Sequence, residues 1–497
     1  MIRGRGLHVR RAVATALALA IAWSPVPAQL PSLGDAYELT PSAERRIGER
    51  IARELYRDPD YIDDPVLGEY IQSLWQPLLA AARVRGELTP DMEQRYAWRV
   101  LLGRDRSINA FALPGGWLGL HLGLLAVTTR RDELASVLAH ELSHVTQRHI
   151  ARIMSQDKRQ TPWVIGAVIL GALAASKSPD AAAALITGGQ AAAVQGQLNF
   201  SRDMEREADR IGLGVLTQAG FEGQGFVTMF EKLQQSSRLN DNGAFPYLRT
   251  HPLTLERIVD MRSRQPLGER VAPQRPDLEH ALMAARARAL STGGVELHQA
   301  LVREADAIPA DATPQRRAAA LYAGALAALQ LREPARARRY QEQLAARVAP
   351  DRVGARLARL LSAEVALASG DAARALAEVG PSQARPETLL MAQAAVRAGQ
   401  PDEAAQRLQT WVTVNPTDGT AWQLLAMAQT AQGQALRAIR SEAEARVAWL
   451  DYPAAMDRLR AAQELARKVT VDHIEASIID TRARAVEALL REQALER

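Results

Sequence analysis

Cysteine is absent from this chain of 497 residues. That excludes disulfides and thiolate-held metals, and it sits comfortably with an oxidising compartment. Lysine stands only at 158, 177, 232 and 468, so the 61 basic residues are almost all arginine, nearly balanced by 56 acidic ones for a net charge of +5. No basic run is interleaved with aromatics, which argues against a nucleic-acid partner. Long apolar runs are missing too. Pro162 to Ala175 and Ala181 to Val194 fall short of the ~20 residues a membrane helix needs. They read either as buried helices or as an apolar flap that touches membrane or unfolded clients, so membrane contact is at most peripheral. At the N-terminus, Arg3, Arg5, Arg10 and Arg11 precede an apolar run from Ala12 to Trp23, with Val26-Pro27-Ala28 before a cut near Gln29. This is the pattern of a cleaved export signal over residues 1–28.

What is present is concentrated. Three of only 9 His lie within VLAHELSHVTQRHI, from Val137 to Ile150. His140 and His144 are four apart with Glu141 directly after the first, which is the H-E-x-x-H pattern. On a helix, residues i and i+4 share a face, so two imidazoles can hold one metal while Glu141 stands within reach of an attacking water. The segment predicts a helix. Thr129 is the expected N-cap, Asp132 and Glu133 fill the first turn, and Leu134, Val137, Leu138, Leu142 and Val145 follow at helical spacing. A catalytic zinc takes three protein ligands, and the local extension with Gly at 147 and His at 150 fails, because Gln147 and Ile150 stand there. His149, at i+5 from His144, is out of register and reads as a helix-end residue.

The stretch NFSRDMEREADRIG offers the rest. Glu205 and Asp209 share a helix face, while Glu207 points about 160° away from that row. One carboxylate can bind the metal and the other can accept the N–H of a ligating His. By itself the stretch would also suit an exposed charged helix.

H-E-L-S-H followed by S-R-D-M-E-R-E-A-D resembles the metallopeptidase family that includes the HtpX proteases and CAAX prenyl endopeptidases. NAFALPGG (Asn109 to Gly116) and THPLTLERI (Thr250 to Ile258) match the same family in the same order. The resemblance implies a gluzincin-type zinc endopeptidase over residues 36–264, mainly α with a small β-sheet. It implies zinc on His140, His144 and Glu205, Glu141 as the general base, and Asp209 behind a ligating His. Trp98 to Leu102 and Ile108 to Ala112 read as short strands, followed by a turn at Pro114-Gly115-Gly116. They form either an ordinary hairpin or a sheet edge that takes up an extended peptide. His251, in the T-H-P element, has three possible placements: an oxyanion donor, a fourth zinc ligand that keeps the site latent, or a loop residue packed elsewhere.

After Gln265 to Asp277, a proline-bearing linker, the composition turns to Ala and Arg. Ala392, Gly399 and Ala404 recur as Ala426, Gly433 and Ala438, a shift of 34 residues, with a weaker copy at Ala363, Gly370 and Ala375. This resembles the tetratricopeptide repeat and implies an α-helical solenoid over 278–497. Signal, protease and repeats together resemble the BepA-type family of periplasmic metalloprotease-chaperones. That likeness implies a periplasmic location, misfolded outer-membrane proteins as clients, and the β-barrel assembly machinery as partner of the repeats. The alternative is an assembly scaffold whose metal site is latent.

Overall fold

The computed structural model describes residues 39–156, 201–239, 246–265, 277–467 and 473–494. The proposed export signal and both short apolar segments lie outside these residues. Among the described residues, no helix is long and apolar enough to cross a membrane. From Thr40 onward the chain forms one compact unit.

The first helices follow from local chemistry. Helices α1 (Pro41–Arg57), α2 (Pro65–Val84) and α3 (Pro90–Arg95) open on proline, preceded by Thr40, Asp64 and Thr89. Each preceding side chain accepts a first-turn backbone N–H. Proline costs nothing there, because its missing N–H would have had no helical partner. Four strands form one sheet: β1 (Tyr61–Ile62), β2 (Arg99–Gly103), β3 (Ala110–Leu113) and β4 (Trp117–His121), in the order β1-β2-β4-β3. β2 runs parallel to β4, and β3 runs antiparallel to it at the edge. The β3–β4 turn uses Gly115 and Gly116 at φ of 72° and 81°, a region that side chains disfavour. The first long strand begins one residue later than expected. Trp98 takes a left-handed φ of 49° and hands its carbonyl to Trp75 Nε1 at 3.1 Å.

Then come α4 (Leu122–Val127), α5 (Arg131–Thr146), α6 (His149–Gln156), α7 (Arg202–Gln218), α8 (Gln224–Leu239), α9 (Pro246–Thr250) and α10 (Leu255–Ser263). Helix α5, which carries H-E-x-x-H, is buried at every residue from Glu133 to Thr146. It runs through the core, with α7, α8 and edge strand β3 packed around it. Its start corrects the expected cap. Arg130 is the N-cap and makes no side-chain cap bond, while Glu133 reaches back to accept the Thr129 N–H at 2.7 Å and holds Lys232 at 2.7 Å. The first-turn carboxylate thus ties down the residue before the cap, and its charge suits the positive end of the helix.

From Leu278 to Ala494 the described chain is wholly helical, each helix packing on the next. The alanines of the periodic pattern, 363, 375, 392, 404, 426 and 438, are buried between helices. Gly370, Gly399 and Gly433 end their helices at φ of 82°, 75° and 74°. Open space surrounds all three, so backbone conformation rather than crowding selects glycine.

One apolar cluster runs from Ile62 to Ala445 through both regions. Three arginines of the later helices cross between them, each gripping two carboxylates. Arg286 binds Asp64 and Glu364, Arg356 binds Glu69 and Glu387, and Arg385 binds Asp63 and Asp418. Arg286 is the most enclosed, and its guanidinium meets Asp64 at 2.7 and 2.9 Å and Tyr322 Oη at 3.1 Å. Arg286→Ala takes the guanidinium away from both carboxylates, of which Asp64 is buried. Urea unfolding should show a loss of about 3–5 kcal/mol, the usual consequence of breaking a buried pair from one side; a loss below ~1 kcal/mol would mean that water reaches this contact.

Candidate metal centre

Four side chains from three separate segments converge at the centre of the first region. His140 and His144 come from α5, Glu205 from the first turn of α7, and His251 from just after α9. Ser201 caps α7 by accepting the Met204 N–H at 3.2 Å, which fixes where Glu205 emerges. One nitrogen or oxygen from each of the four lies within 4.8 Å of the others. All four are at most 1% exposed. His144 Nε2 lies 3.0 Å from His140 Nε2 and 3.4 Å from Glu205 Oε1. His251 Nδ1 lies 2.9 Å from Glu205 Oε1 and 3.4 Å from His140 Nε2, and its ring stacks on Tyr247 at 4.6 Å between centroids.

Glu141 stands beside this cluster, fully buried. Its Oε2 accepts the Ala112 N–H of edge strand β3 at 2.9 Å. Its Oε1 faces His251 Nε2 at 3.5 Å and takes no hydrogen bond. Burial pushes the Glu141 carboxyl up from its ordinary value, the direction that makes a carboxylate a better base near neutral pH.

Asp209 comes up behind His140, with Oδ1 3.0 Å from Nδ1. Arg257, on α10, meets Asp209 at 2.7 and 2.8 Å and Glu205 at 2.7 Å. Its approach is fixed by Thr254, which caps α10, and by the Pro252 carbonyl, which accepts from its guanidinium at 2.9 Å. Burial alone would raise the Asp209 pKa, yet the Arg257 guanidinium holds it below its usual value. Glu205 is likewise held well below its range, because its contacts with the His251, His140 and His144 imidazoles outweigh burial. Burial drives His144 well below its ordinary value, whereas hydrogen bonds to Asp209 and Glu205 overcome burial at His140 and push it up to about 9. The pocket therefore attracts positive charge.

A count of charge says how much. Glu141, Glu205 and Asp209 bring three buried carboxylates against the one guanidinium of Arg257. With the imidazoles neutral, as metal ligation requires, two negative charges remain in a sealed interior, a costly state unless matched. A divalent cation among three imidazoles and a carboxylate matches them, and this nitrogen and oxygen donor set suits a late first-row metal.

Three features escaped the sequence reading. Arg257 lies inside the quoted THPLTLERI stretch, and a buried excess of carboxylates was the signal that some arginine had to join them. His149 does not end the motif helix but opens α6, with Nδ1 2.9 Å from His144 Nδ1. Glu207, which does face away from Glu205, reaches His149 Nε2 at 3.1 Å.

Comparison with known proteins agrees with this geometry. Residues 69–265 match the model of peptidase family M48. Over 428 residues, 84% of this chain and 83% of the relative, the protein is 32% identical to the beta-barrel assembly-enhancing protease of Escherichia coli K12. The chain belongs to peptidase family M48. Other relatives cover less. A Vibrio cholerae protein is 38% identical over 48% of each chain. The mitochondrial metalloendopeptidase OMA1 of Schizosaccharomyces pombe is 34% identical over 32% of this chain and 44% of its own. As an M48 member the protein is a metallopeptidase, mainly helical, with a small sheet and a helical C-terminal region.

Arg257→Ala removes the guanidinium that touches both Asp209 and Glu205. The metal-free variant should lose about 3–5 kcal/mol in denaturant unfolding, and saturating divalent metal should restore more of that stability than it adds to wild type. Equal metal-induced gains in the two proteins would refute the charge balance.

Proposed function

We propose that the protein is a zinc endopeptidase of the periplasm that degrades misfolded outer-membrane β-barrel proteins and assists their assembly. In this reading residues 1–28 are a cleaved signal, 36–264 the peptidase domain, 265–277 a linker, and 278–497 a tetratricopeptide-repeat domain. The observation that carries it is the convergence of His140, His144, Glu205 and His251 beside a buried Glu141. The periplasmic role draws on the export pattern at the N-terminus and on relatives named for β-barrel assembly.

His140, His144 and Glu205 would hold the zinc. Bound there, it supplies a Lewis acid for the scissile carbonyl and lowers the pKa of the attacking water. Glu141 takes the proton of that water and returns it to the leaving amine. Asp209 orients His140 through Nδ1, with Arg257 holding the carboxylate. Edge strand β3 offers backbone groups to an extended client. The Ala112 N–H, now donated to Glu141, lies on that edge, so a client that pairs there competes for the bond that holds the base.

His251 acts as a latch. Its Nδ1 lies close to the proposed ligand atoms of His140 and Glu205, so it would join them in holding the metal and would have to move aside to admit a peptide carbonyl. A protease that meets unfolded envelope proteins gains restraint from such a contact. The repeats receive clients or the β-barrel assembly machinery, since stacked helix pairs present a continuous concave surface.

Glu141→Gln should keep its zinc and lose cleavage of casein, whereas Glu205→Ala should lose zinc by elemental analysis. Casein cleavage at the wild-type rate by Glu141→Gln would overturn the mechanism. Zinc lost from Glu207→Ala and kept by Glu205→Ala would reassign the third ligand. His251→Ala should cleave a short unstructured peptide faster than wild type. A fall of about a hundredfold would instead make His251 an oxyanion donor, and an unchanged rate would remove it from the site.

A further inference from the structure

Behind His144 lies an arrangement that the proposed chemistry leaves unused. A continuous helix would carry His149 about 140° round from His144, out of contact. The chain breaks instead. Helix α5 ends at Thr146 with Gln147 as its C-cap, and Arg148 adopts a left-handed φ of 53°, a conformation uncommon for a non-glycine residue. The Arg148 side chain is held there by Glu44, buried on α1, whose Oε1 accepts from Arg148 Nε at 2.8 Å. The turn brings His149, itself fully buried, back over His144, with ring centroids 4.9 Å apart and the planes at 77°. Glu207 then accepts from His149 at 3.1 Å and from Arg152 at 2.9 Å on the same oxygen.

We propose that His149 and Glu207 are positioning residues that hold His144 in its metal-ligating tautomer, the counterpart of Asp209 behind His140. The inference rests on the zinc reading above and follows from counting protons. His144 Nε2 faces the cluster, so a ligating His144 must carry its proton on Nδ1. That N–H points at His149 Nδ1, which can accept only if it is bare. The proton of a neutral His149 then sits on Nε2, where Glu207 Oε2 receives it, and Arg152 supports the negative charge. Each contact in the chain has one donor and one acceptor: moving the His149 proton to Nδ1 sets two N–H groups face to face, and moving the His144 proton to Nε2 sets two lone pairs face to face. Both ligating imidazoles are therefore backed by a carboxylate with an arginine behind it, directly at His140 and through a second imidazole at His144. The arrangement costs a strained backbone at Arg148, and the gain is a neutral, correctly protonated ligand at a position where burial alone would not choose between the two nitrogens.

The test measures zinc affinity, by competition with a chromophoric chelator, in full-length wild type and in His149→Ala, His149→Gln, Glu207→Ala and His144→Ala. The visible spectrum of each protein loaded with Co2+ is recorded alongside. His149→Ala and Glu207→Ala should each bind zinc about 10- to 100-fold more weakly and shift the Co2+ spectrum, with metal-free thermal midpoints near that of wild type for Glu207→Ala. His149→Gln, whose amide oxygen can accept the same N–H, should recover a measurable part of the affinity. Wild-type affinity and spectrum in Glu207→Ala, or no recovery in His149→Gln when it folds as well as His149→Ala, would overturn the positioning role. If His144→Ala keeps wild-type affinity, the zinc reading itself falls, a result separable from failure of the chain behind it.

Discussion

Three carboxylates share a sealed interior with one guanidinium, and most of the first region can be understood as the means of holding that imbalance in place. Glu141, Glu205 and Asp209 are each at most 1% exposed, where an unmatched charge is far more costly than at a surface. Helix α5 must be buried on all sides so that water does not relieve the imbalance. Helices α7 and α10 must be capped where they are, at Ser201 and Thr254, so that Glu205 and Arg257 arrive in register. The fold is thus organised around an electrostatic demand that a divalent metal answers, which is the chemistry a metallopeptidase requires.

The surroundings extend the same logic outward. Edge strand β3 gives its Ala112 N–H to Glu141, so the sheet takes part in the site through its backbone. Tyr247 stacks on His251 and fixes the approach of the α9–α10 connection. In the proposed reading, metal, base and latch are therefore coupled: a client on the sheet edge touches the base, and His251 touches both base and ligands. Restraint and catalysis then use the same few contacts.

The later helices are attached by a different physics. Arginines 286, 356 and 385 each bind one carboxylate from the first region and one from their own, within a continuous apolar cluster. Such bridges contribute direction more than net stability, since desolvation offsets much of their attraction. They fix the orientation of the helical array relative to the peptidase part, which an apolar contact alone would leave free to slide.

Local chemistry made much of this legible in the chain itself. The spacing of His140, His144, Glu205 and Asp209 puts each pair on one helix face, which no tertiary contact is needed to establish. The buried alanines and helix-ending glycines of the second half were equally readable, because periodicity and left-handed turns are properties of short segments. The remainder depended on packing. That Arg257 answers two carboxylates, that Ala112 offers its N–H to Glu141, and that His251 stands among the ligands are consequences of segments meeting across 29 to 111 positions of sequence. The clearest case is His149. Helical spacing excluded it, and a left-handed turn at Arg148, whose side chain packs on the distant Glu44, brought it back, because where a helix breaks depends on contacts that leave no mark in the local sequence.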